Sequence, residues 1–376
     1  MGPSREGTGS PIRPVAATTG ERHVSNIHHT DRERPLITNH LTLLLDSSYP
    51  EHDIERQIIE EAGGSLAVCD AAVWDEQHVL GQPLLPQAEV ILVELAPVTA
   101  RVLSQAASCV LVARYGVGVD NVDLAAATAA GIWVANVPDY ATDTVADHAL
   151  LLLLAVAREL RPFTERVRGG GWRRAGDPWL PLALQGRVLG IVGYGRIGSA
   201  VGRRARAMGM EVLAYDPLVS QAEIEKDGAV STDLGTVLAQ CDFLSLHCPL
   251  TELTYHLIAK DALEMMKPGV IIVNTARGDV IDLADLGRAL DSGHVRGAGL
   301  DVFDQEPLPP DHPLRVHPGV IATPHMAFLS DKSVTTLRSR VAENAAAVLQ
   351  GNPPLYPVNS PAPARVMPPP APRAGP

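Results

Sequence analysis

The sequence predicts an α/β protein built from two Rossmann-like, doubly wound parallel sheets. Short apolar runs alternate with helical segments along most of the chain, which is the pattern of strand–helix–strand units. A glycine-rich turn joins one such run to a helix at residues 193–198. The later apolar runs each end in polar or charged residues. In a parallel sheet these residues gather at one edge, where ligands bind.

The first α/β unit covers residues 36–136 in the sequence. Ile54 and Ile58 lie one helical turn apart, and Gly63 and Gly64 are expected to end that helix. The unit closes at residues 134–138. Its other apolar runs are long enough for buried strands, and they fall at 41–46, 88–95 and 109–116.

A leucine-rich helix follows the first unit. Thr142 or Asp143 can cap its start, and the pattern runs to about residue 160. Because leucine occurs all round rather than as a stripe, the helix is expected to be buried between two lobes. Residues 168–179 break the pattern and are predicted to form a loop.

The second unit is predicted to be a cofactor domain at residues 137–325, inserted into the first. A helical segment at about 331–350 has no sheet of its own. It is expected to return to the first lobe, so the substrate domain is predicted to comprise 36–136 and 326–352. The predicted strands of the cofactor domain fall at 188–192, 211–215, 243–249, 270–278, 297–303 and 320–325.

Both ends of the sequence lack apolar periodicity. Residues 1–35 mix Gly, Pro, Ser, His and charged residues, which is typical of a disordered tail. Residues 353–376 are rich in proline and are predicted to form a disordered, solvated extension, with a polyproline ligand as the alternative.

Composition excludes several classes of protein. The chain carries 31 Lys and Arg against 43 Asp and Glu, for a net charge of −12, which argues against nucleic acid as a direct partner. The apolar run 149–157 is too short to span a membrane, and no secretory signal is evident. The four cysteines form no CxxC pair, so no metal site or disulfide framework is predicted and a cytoplasmic location is expected.

The stretch VLGIVGYGRIGSAVGRRARAMGMEVLAYD at 188–216 predicts an NAD site. Gly193, Gly195 and Gly198 have the GxGxxG spacing between a strand and the helix that begins near Arg196. The glycines would form a tight turn, let a pyrophosphate approach, and let helix and strand pack closely. Asp216 lies 23 residues beyond the first glycine, where a carboxylate holds ribose hydroxyls and disfavours NADP. The alternative is a purely structural glycine turn.

Three strand-end side chains predict the reaction. Arg277 lies in NTARGD, Glu306 in LDVFDQEP and His325 in TPHMAF. The imidazole of His325 can exchange a proton near neutral pH. A neighbouring carboxylate, here Glu306, favours the protonated imidazolium. The planar guanidinium of Arg277 matches the carboxylate and carbonyl of a 2-keto acid. These groups suit NADH-dependent reduction of a 2-keto acid. Taken singly, each residue has an alternative without a catalytic role. His325 could be a strand-end histidine, Glu306 a solvated loop acid and Arg277 a member of a surface ion pair.

Two further groups are candidate binding residues. Asp301 ends a strand and could accept from the nicotinamide carboxamide, while Thr275 and Ala276 supply backbone close to the ring. In the first lobe, residues 114–118 follow a strand, and their small residues could cradle an anion. A plain turn before the helix near Asp123 is the alternative there.

Residues 40–352 resemble the D-isomer-specific 2-hydroxyacid dehydrogenase family. The resemblance rests on RYGVGVDNVD, the leucine-rich helix after VADHA, GYGRIG with YDP, LHCPLTELTYHL, NTARGDVID, GAGLDVFDQEP and TPHMAF. It implies a cofactor lobe inserted into a substrate lobe, a cleft between them, a small carboxylate substrate, NAD, and a homodimer built largely on the cofactor lobe.

The resemblance also implies individual roles. Arg277 would anchor the substrate, Glu306 would pair with the acid/base His325, and the loop at Val117 and Gly118 would bind the substrate carboxylate. Contacts to NAD would come from Arg196, Ile197, Asp216, Cys248, Thr254, Thr275 and Asp301.

Within the family, the motifs look most like the C-terminal-binding-protein branch. Arg114 matches that branch and would give the substrate carboxylate a second cation, whereas Phe328 stands where the branch usually has tryptophan. Phe328, Pro97 and Tyr115 are candidates to line the substrate pocket. Two alternatives to a 2-hydroxyacid dehydrogenase remain: an NAD(H)-sensing scaffold with little turnover, and an NAD-dependent oxidoreductase of another anion, such as a phosphonate or phosphite.

Overall fold

A computed structural model describes residues 40–69, 75–173 and 180–367, and in them the chain forms two parallel β-sheets with helices packed around them. The predicted fold class is therefore confirmed. The predicted tail at 1–35 and the end of the proline-rich stretch, from 368 onward, lie outside the described residues.

The first sheet has five parallel strands among the described residues, in the order β2-β1-β3-β4-β5. They are β1 (His40–Leu44), β2 (Gly64–Val68), β3 (Val90–Val93), β4 (Leu111–Arg114) and β5 (Trp133–Ala135). The connecting helices are α1 (Asp53–Glu61), α2 (Glu76–Leu80), α3 (Ala100–Gln105) and α4 (Leu124–Ala129).

The sequence pattern does not predict strand β2, because Gly63 and Gly64 together indicate the end of a helix. A side chain at Gly64 would place its Cβ 2.8 Å from the Leu349 side chain and 3.3 Å from the His40 carbonyl. Gly64 is therefore required for close packing at the start of a strand. Gly63, at φ +88°, makes the turn that ends α1.

The leucine-rich segment forms α5 (Thr142–Ala157), and a further helix, α6 (Leu160–Arg168), follows it. The predicted caps are wrong, since Ala141 occupies the N-cap position and no side chain caps it. Leu152 and Leu153 are buried, but Leu151 is 54% exposed, so the helix is not covered on every side in this chain. Of the predicted loop at 168–179, residues 174–179 lie outside the described residues.

The second sheet has seven parallel strands in the described chain, in the order β12-β11-β10-β9-β6-β7-β8. Successive strands β6, β7 and β8 run to one side, and β9 then lies on the other side of β6. This change of direction creates the crevice in which α/β sheets bind ligands. The strands are β6 (Val188–Val192), β7 (Glu211–Tyr215), β8 (Val230–Ser231), β9 (Phe243–Leu246), β10 (Val270–Asn274), β11 (Val295–Leu300) and β12 (Val320–Ala322).

Helix α5 packs directly on the second sheet because two strand positions in β11 lack side chains. A Cβ at Gly297 would lie 2.6 Å from Val156, and one at Gly299 would lie 2.7 Å from Leu152. The other helices of this lobe are α7 (Arg196–Ala207), α8 (Gln221–Lys226), α9 (Leu234–Gln240), α10 (Lys260–Met265) and α11 (Leu283–Asp291). Among the described helices, none is long and apolar enough to cross a membrane.

The last helix, α12 (Asp331–Leu349), returns to the first sheet and packs on α1, as expected. Arg338 on α12 donates to both carboxylate oxygens of Glu55 on α1, at 2.9 and 2.8 Å. Tyr115 donates its hydroxyl to the same carboxylate at 3.1 Å. The boundaries at 136, 325 and 352 between the two predicted domains stay a prediction.

Residues 353–367 form an ordered strap, so the prediction of a disordered tail is wrong for this part of the chain. Pro357 pairs with Ala135 on the edge strand β5, and Asn359 accepts from Val134 N at 2.8 Å. Arg365 donates to the carbonyls of Ala107 and Cys109, at 3.0 and 2.8 Å. The proline content of this segment gives no sign of these partners, which satisfy backbone groups of the edge strand β5 and of the segment that precedes β4.

Candidate active site

The glycine turn after β6 has the geometry of a dinucleotide site. Gly193 has φ +88°, and a Cβ there would lie 2.5 Å from Cys248 N. A Cβ at Gly198 would lie 2.0 Å from the Gly193 carbonyl, so α7 and β6 approach closely. At Gly195 a Cβ would meet nothing within 4 Å. Gly195 therefore faces open space at the N-terminus of α7, where backbone N–H groups attract phosphate.

Asp216 lies beside this turn, at the end of β7. Its carboxylate accepts from Tyr194 N and from Leu218 N, each at 2.8 Å. These bonds hold the carboxylate at the strand end, and each oxygen keeps a second acceptor position. Together with the open glycine turn, this arrangement fits the adenosine ribose and pyrophosphate of NAD.

Other predicted cofactor residues lie around the same crevice. The Thr275 hydroxyl is buried and has no hydrogen-bond partner in the described chain, as expected of a group that meets a ligand. Ala276 follows it, with its N–H bonded to Asn274 Oδ1 at 3.0 Å. Arg196 is exposed at the start of α7, and Ile197 packs on the small cluster formed by Ala141, Val145 and Ala327.

Cys248 and Thr254 follow β9, and the structure gives both of them local roles. Burial raises the pKa of the Cys248 thiol to about 11, which keeps it protonated near neutral pH. The Thr254 hydroxyl donates to the Pro249 carbonyl at 2.6 Å and accepts from Thr251 N at 2.7 Å. It therefore shapes its own loop beside the crevice.

Asp301 directly follows β11 and is held by several hydrogen bonds. Its carboxylate is 1% exposed and accepts from Thr323 Oγ1 at 2.5 Å, Met326 N at 2.9 Å and Ala327 N at 2.8 Å. The Asp301 carbonyl accepts from His325 N at 2.8 Å. This set of partners fixes the turn that carries His325, and the contact of Asp301 with the nicotinamide stays a prediction.

His325 and Glu306 form a close pair. His325 Nδ1 lies 2.6 Å from Glu306 Oε2, and Glu306 Oε1 accepts from Phe303 N at 2.9 Å. Burial acts to raise the pKa of Glu306, but the His325 hydrogen bond and the His325 and Arg277 charges outweigh it and hold the pKa below its usual value. His325 has φ +51°, an uncommon conformation for a residue with a side chain.

Arg277 reaches from the end of β10 toward the first lobe. Its Nε donates to Asp120 Oδ2 at 2.8 Å and its Nη1 to the Ala276 carbonyl at 2.7 Å. A Cβ at Gly118 would lie 1.7 Å from Arg277 Nη2, so glycine leaves room for the guanidinium. Arg277 and the Val117–Gly118 loop are thus brought together across the two lobes.

Arg114 ends β4, directly before this loop. A Cβ at Gly116 would fall 1.6 Å from Arg114 Nη1 and 3.6 Å from the Tyr140 hydroxyl. The Tyr140 ring meets Phe328 with centroids 6.1 Å apart, and Phe328 meets His325 at 6.5 Å. The side chains therefore follow one another as successive neighbours, in the order Arg114, Tyr140, Phe328 and His325.

Some site residues were not identified from the sequence. Asp120 orients Arg277 and lies inside RYGVGVDNVD, but no local signal pairs it with a residue 157 positions away. Tyr140, which contacts Phe328, is likewise not singled out by any sequence pattern. Conversely, Tyr115 was expected to line the pocket but is 2% exposed, and its hydroxyl bonds Glu55 inside the first lobe.

The crevice thus combines a nucleotide-binding glycine turn with a histidine–carboxylate pair and a guanidinium. This combination, on two parallel sheets, defines the class of NAD-dependent two-lobed dehydrogenases. Residues 150–327 match the family profile described as D-isomer specific 2-hydroxyacid dehydrogenase, NAD binding domain.

The relatives found by comparison with known proteins are named as a reductase and a dehydrogenase. The chain is 45% identical over 266 residues to a glyoxylate reductase of Korarchaeum cryptofilum, covering 70% of this chain and 80% of the relative. It is 39% identical over 278 residues to a D-3-phosphoglycerate dehydrogenase of Archaeoglobus fulgidus, covering 74% of this chain and 52% of that protein. This chain therefore matches only about half the length of the phosphoglycerate dehydrogenase.

A solved structure of known activity has a similar fold. The D-lactate dehydrogenase of Aquifex aeolicus, complexed with NAD and lactic acid, superposes with a TM-score of 0.74 at 31% identity, covering 81% of this chain and 94% of that one. The chain belongs to the D-isomer-specific 2-hydroxyacid dehydrogenase family. The closer resemblance to the C-terminal-binding-protein branch stays a prediction.

Proposed function

We propose that the protein is an NAD-dependent dehydrogenase that interconverts a small 2-keto acid and the corresponding D-2-hydroxy acid. The observation that carries the proposal is the His325–Glu306 pair at 2.6 Å, with the Arg277 charge acting on the same carboxylate. The names of the relatives support it, since they include a glyoxylate reductase and a D-lactate dehydrogenase complexed with NAD and lactic acid.

In this proposal the substrate carboxylate is bound between the lobes. Arg277, oriented by Asp120, presents a planar pair of donors to the carboxylate and the C2 carbonyl. The backbone of Val117 and Gly118 contacts the same carboxylate from the other lobe, and Arg114 adds a second cation. Donors aimed at the oxygen where negative charge develops lower the barrier to reduction.

His325 is the proton donor in this proposal. Because Nδ1 is held by Glu306, Nε2 is the ring nitrogen left to face the substrate. The hydride to C2 would come from NADH bound at the glycine turn. His325 gives its Nε2 proton to the C2 oxygen, the product hydroxyl forms, and the imidazole is left neutral; oxidation follows the same path in reverse. Glu306 stabilises the charged ring and fixes its orientation.

Gly193, Gly195 and Gly198 would bind the NAD pyrophosphate, and Asp216 would bind the ribose hydroxyls. Arg196, Ile197, Cys248, Thr254, Thr275 and Ala276 would line the cofactor, and Asp301 is proposed to act mainly by positioning the His325 turn. The buried Thr275 hydroxyl without a partner and the open face of Gly195 support this arrangement.

Gly195→Ala should weaken NADH binding by about ten-fold or more, because the new methyl group would occupy the space through which the pyrophosphate approaches. Stability should change little, since a Cβ at Gly195 meets nothing within 4 Å. Fluorescence titration with NADH and thermal unfolding measure the two effects. Gly287→Ala is the matched control, because its nearest neighbour would lie 3.9 Å away. Unchanged affinity in Gly195→Ala would contradict the proposed cofactor position.

The proposed activity is tested with purified full-length protein, NADH and a panel of 2-keto acids. Glyoxylate, pyruvate or hydroxypyruvate should support NADH oxidation, with the 2-hydroxy acid formed in equal amount. Tight NADH binding with no turnover on any acid would select the NAD(H)-sensing scaffold. Turnover of phosphite or a phosphonate alone, with none of the keto acids, would select the other-anion alternative.

Glu306→Gln should shift the pH dependence of keto acid reduction. The reaction requires a protonated His325, and the Glu306 carboxylate favours that form. Since the pKa of Glu306 lies below its usual value, the carboxylate is ionised across the neutral range and is lost as a partner only as pH falls through that lowered pKa. In Glu306→Gln the loss of kcat/KM with rising pH should begin at lower pH. An identical profile in wild type and variant would contradict the proposed pairing.

The protein is also proposed to be a cytoplasmic homodimer. Four free cysteines are consistent with a reducing compartment. Leu151 on α5 and Leu160 and Val167 on α6 are each 54% exposed on one chain, which is the kind of apolar surface a partner subunit covers. Sedimentation equilibrium should give twice the chain mass, and Leu160→Asp should shift the distribution toward monomer.

A further inference from the structure

Asn136 directly follows β5, and its side chain contacts the Val117–Gly118 loop. Its Nδ2 donates to the Val117 carbonyl at 2.6 Å, and the residue is 9% exposed. The next residue, Val137, donates its N–H to the Gly116 carbonyl at 2.9 Å. Two successive carbonyls of the loop are therefore held by the segment that leads from β5 toward α5.

Holding these carbonyls sets the direction of the N–H groups of the loop. A peptide group is planar and trans, so its N–H points opposite to its C=O. Because the Val117 carbonyl points to Asn136, the Gly118 N–H of the same peptide points away from Asn136. A Cβ at Gly118 would lie 1.7 Å from Arg277 Nη2, so this peptide borders the guanidinium. Among the described residues, the N–H groups of Val117 and Gly118 donate to no protein acceptor, and they are available to a carboxylate bound beside Arg277.

Asn136 is itself held from two sides. Its carbonyl accepts from Asn344 Nδ2 on α12 at 3.2 Å, and its N–H donates to the Tyr356 carbonyl in the strap at 3.1 Å. Asn344 is fully buried, and its Oδ1 accepts from Tyr356 N at 3.1 Å. The three residues thus form a closed ring of hydrogen bonds, and the Asn136 side chain extends this ring to the loop. Buried polar networks whose members are bonded to one another are rigid.

We propose that Asn136 is a positioning residue that orients the Val117–Gly118 peptide for the substrate carboxylate, and that Asn344 and the strap keep Asn136 in place. The proposal rests on the proposed dehydrogenase function and concerns carboxylate binding at the same site. Without the Asn136 amide the peptide is free to rotate, and its N–H loses its fixed direction. Hydrogen bonds to a charged group are stronger than neutral ones, so the loss falls on substrate affinity.

Asn136→Ala should raise KM for the best 2-keto acid about ten-fold or more, the effect of losing one hydrogen bond to a charged group. The value of kcat should stay within about two-fold, because the carboxylate is bound equally in the ground state and the transition state. NADH affinity should be unchanged. A merely structural role predicts a different pattern, since a smaller folded fraction lowers kcat and leaves KM unchanged. Steady-state kinetics and NADH titration of the full-length protein distinguish the two.

Two further variants test the same contacts. Asn136→Leu is similar in size to the wild-type residue and has no donor, so it should raise KM as Asn136→Ala does, and it provides the test if the alanine variant folds poorly. Asn344→Ala keeps the donor of Asn136 but removes one of its supports, and it should raise KM by a smaller factor. An unchanged KM in Asn344→Ala would overturn the supporting role of α12 and the strap.

Asn359→Ala is the matched control. Asn359 is another asparagine that joins the strap to β5, and it accepts from Val134 N at 2.8 Å. Its Nδ2 donates to Thr128 Oγ1 and to the Ile132 carbonyl, and not to the loop. KM should therefore be unchanged in Asn359→Ala. An unchanged KM in both Asn136 variants, or an equal rise in Asn359→Ala, would overturn the proposal.

Binding measurements separate this proposal from the proposed function. Calorimetric titration of the enzyme–NADH complex with oxamate, a 2-keto acid analogue, should give a dissociation constant about ten-fold or more higher in Asn136→Ala than in wild type. If wild type binds oxamate but reduces no keto acid, the dehydrogenase function fails, and the ratio of oxamate affinities still tests Asn136. If keto acids are reduced but neither KM nor this ratio changes, only the role of Asn136 fails. Wild type that binds no oxamate would overturn both.

Discussion

Replacing His325 with glutamine should lower kcat for 2-keto acid reduction by about 10²- to 10⁴-fold, the usual contribution of a positioned acid or base. Glutamine can bond Glu306 but cannot give a proton to the C2 oxygen. NADH affinity should be unchanged, because His325 is not part of the glycine turn. Steady-state kinetics with the best acid of the panel, together with NADH titration, measure the two quantities.

His294→Gln is the control for replacing a histidine in the same lobe. His294 contacts the Leu263 carbonyl at 2.8 Å, away from the crevice, and kcat should stay within about two-fold. If His325→Gln kept more than about a tenth of the wild-type kcat, the expected range of general acid–base catalysis would not be reached. The proton would then have to come from another group.

Replacing Arg338 with methionine should destabilise the first lobe by about 3–5 kcal/mol, because it leaves a buried carboxylate without its cation. Glu55 is fully buried, and both of its oxygens accept from Arg338. The double variant Glu55→Leu, Arg338→Met should recover most of the loss, since it removes the unpaired charge. Urea unfolding gives the free energies.

An exposed ion pair in the same lobe provides the comparison. Arg101 lies 3.8 Å from Glu76, with its side chain 60% exposed. Arg101→Met should change the free energy of unfolding by about 1 kcal/mol or less. Equal losses in Arg101→Met and Arg338→Met would show that the Glu55–Arg338 pair does not hold α12 to α1.

The parallel-sheet fold and the edge that carries the site could be predicted because each depends on local patterns. Apolar runs of strand length, glycines at fixed spacing and an acid after the next strand are all read within about 30 residues. The positions of Arg277, Glu306 and His325 followed from the rule that parallel strands align their carboxyl ends. In the structure, the His325–Glu306 contact at 2.6 Å joins residues on two such strand ends.

The residues that the sequence did not reveal act through contacts distant in the chain. Asp120 bonds Arg277 across 157 positions, and Arg338 bonds Glu55 across 283. No local periodicity encodes such pairs. Asp301 shows a related difficulty, since a strand-end acid is equally suited to a ligand or to the backbone of a neighbouring turn, and only the three-dimensional contacts distinguish the two.

Two of the errors concern residues with strong average tendencies. Proline and glycine usually mark loops and tails. In this chain, Gly64 begins β2 because a side chain would strike Leu349, and Pro357 pairs with the edge strand β5. In both cases a contact with a residue distant in the chain goes with a local structure that differs from the one the residue type usually indicates.

The most direct test of the proposed site is a crystal structure of the protein with NADH and oxamate, a 2-keto acid analogue that is not reduced. The oxamate carboxylate should lie on Arg277 and the Val117–Gly118 loop. Its C2 oxygen should lie within about 3.2 Å of His325 Nε2, the upper range of an N–H···O hydrogen bond. Oxamate bound with its C2 oxygen facing away from His325, or bound outside the crevice between Arg277 and Arg114, would contradict the account.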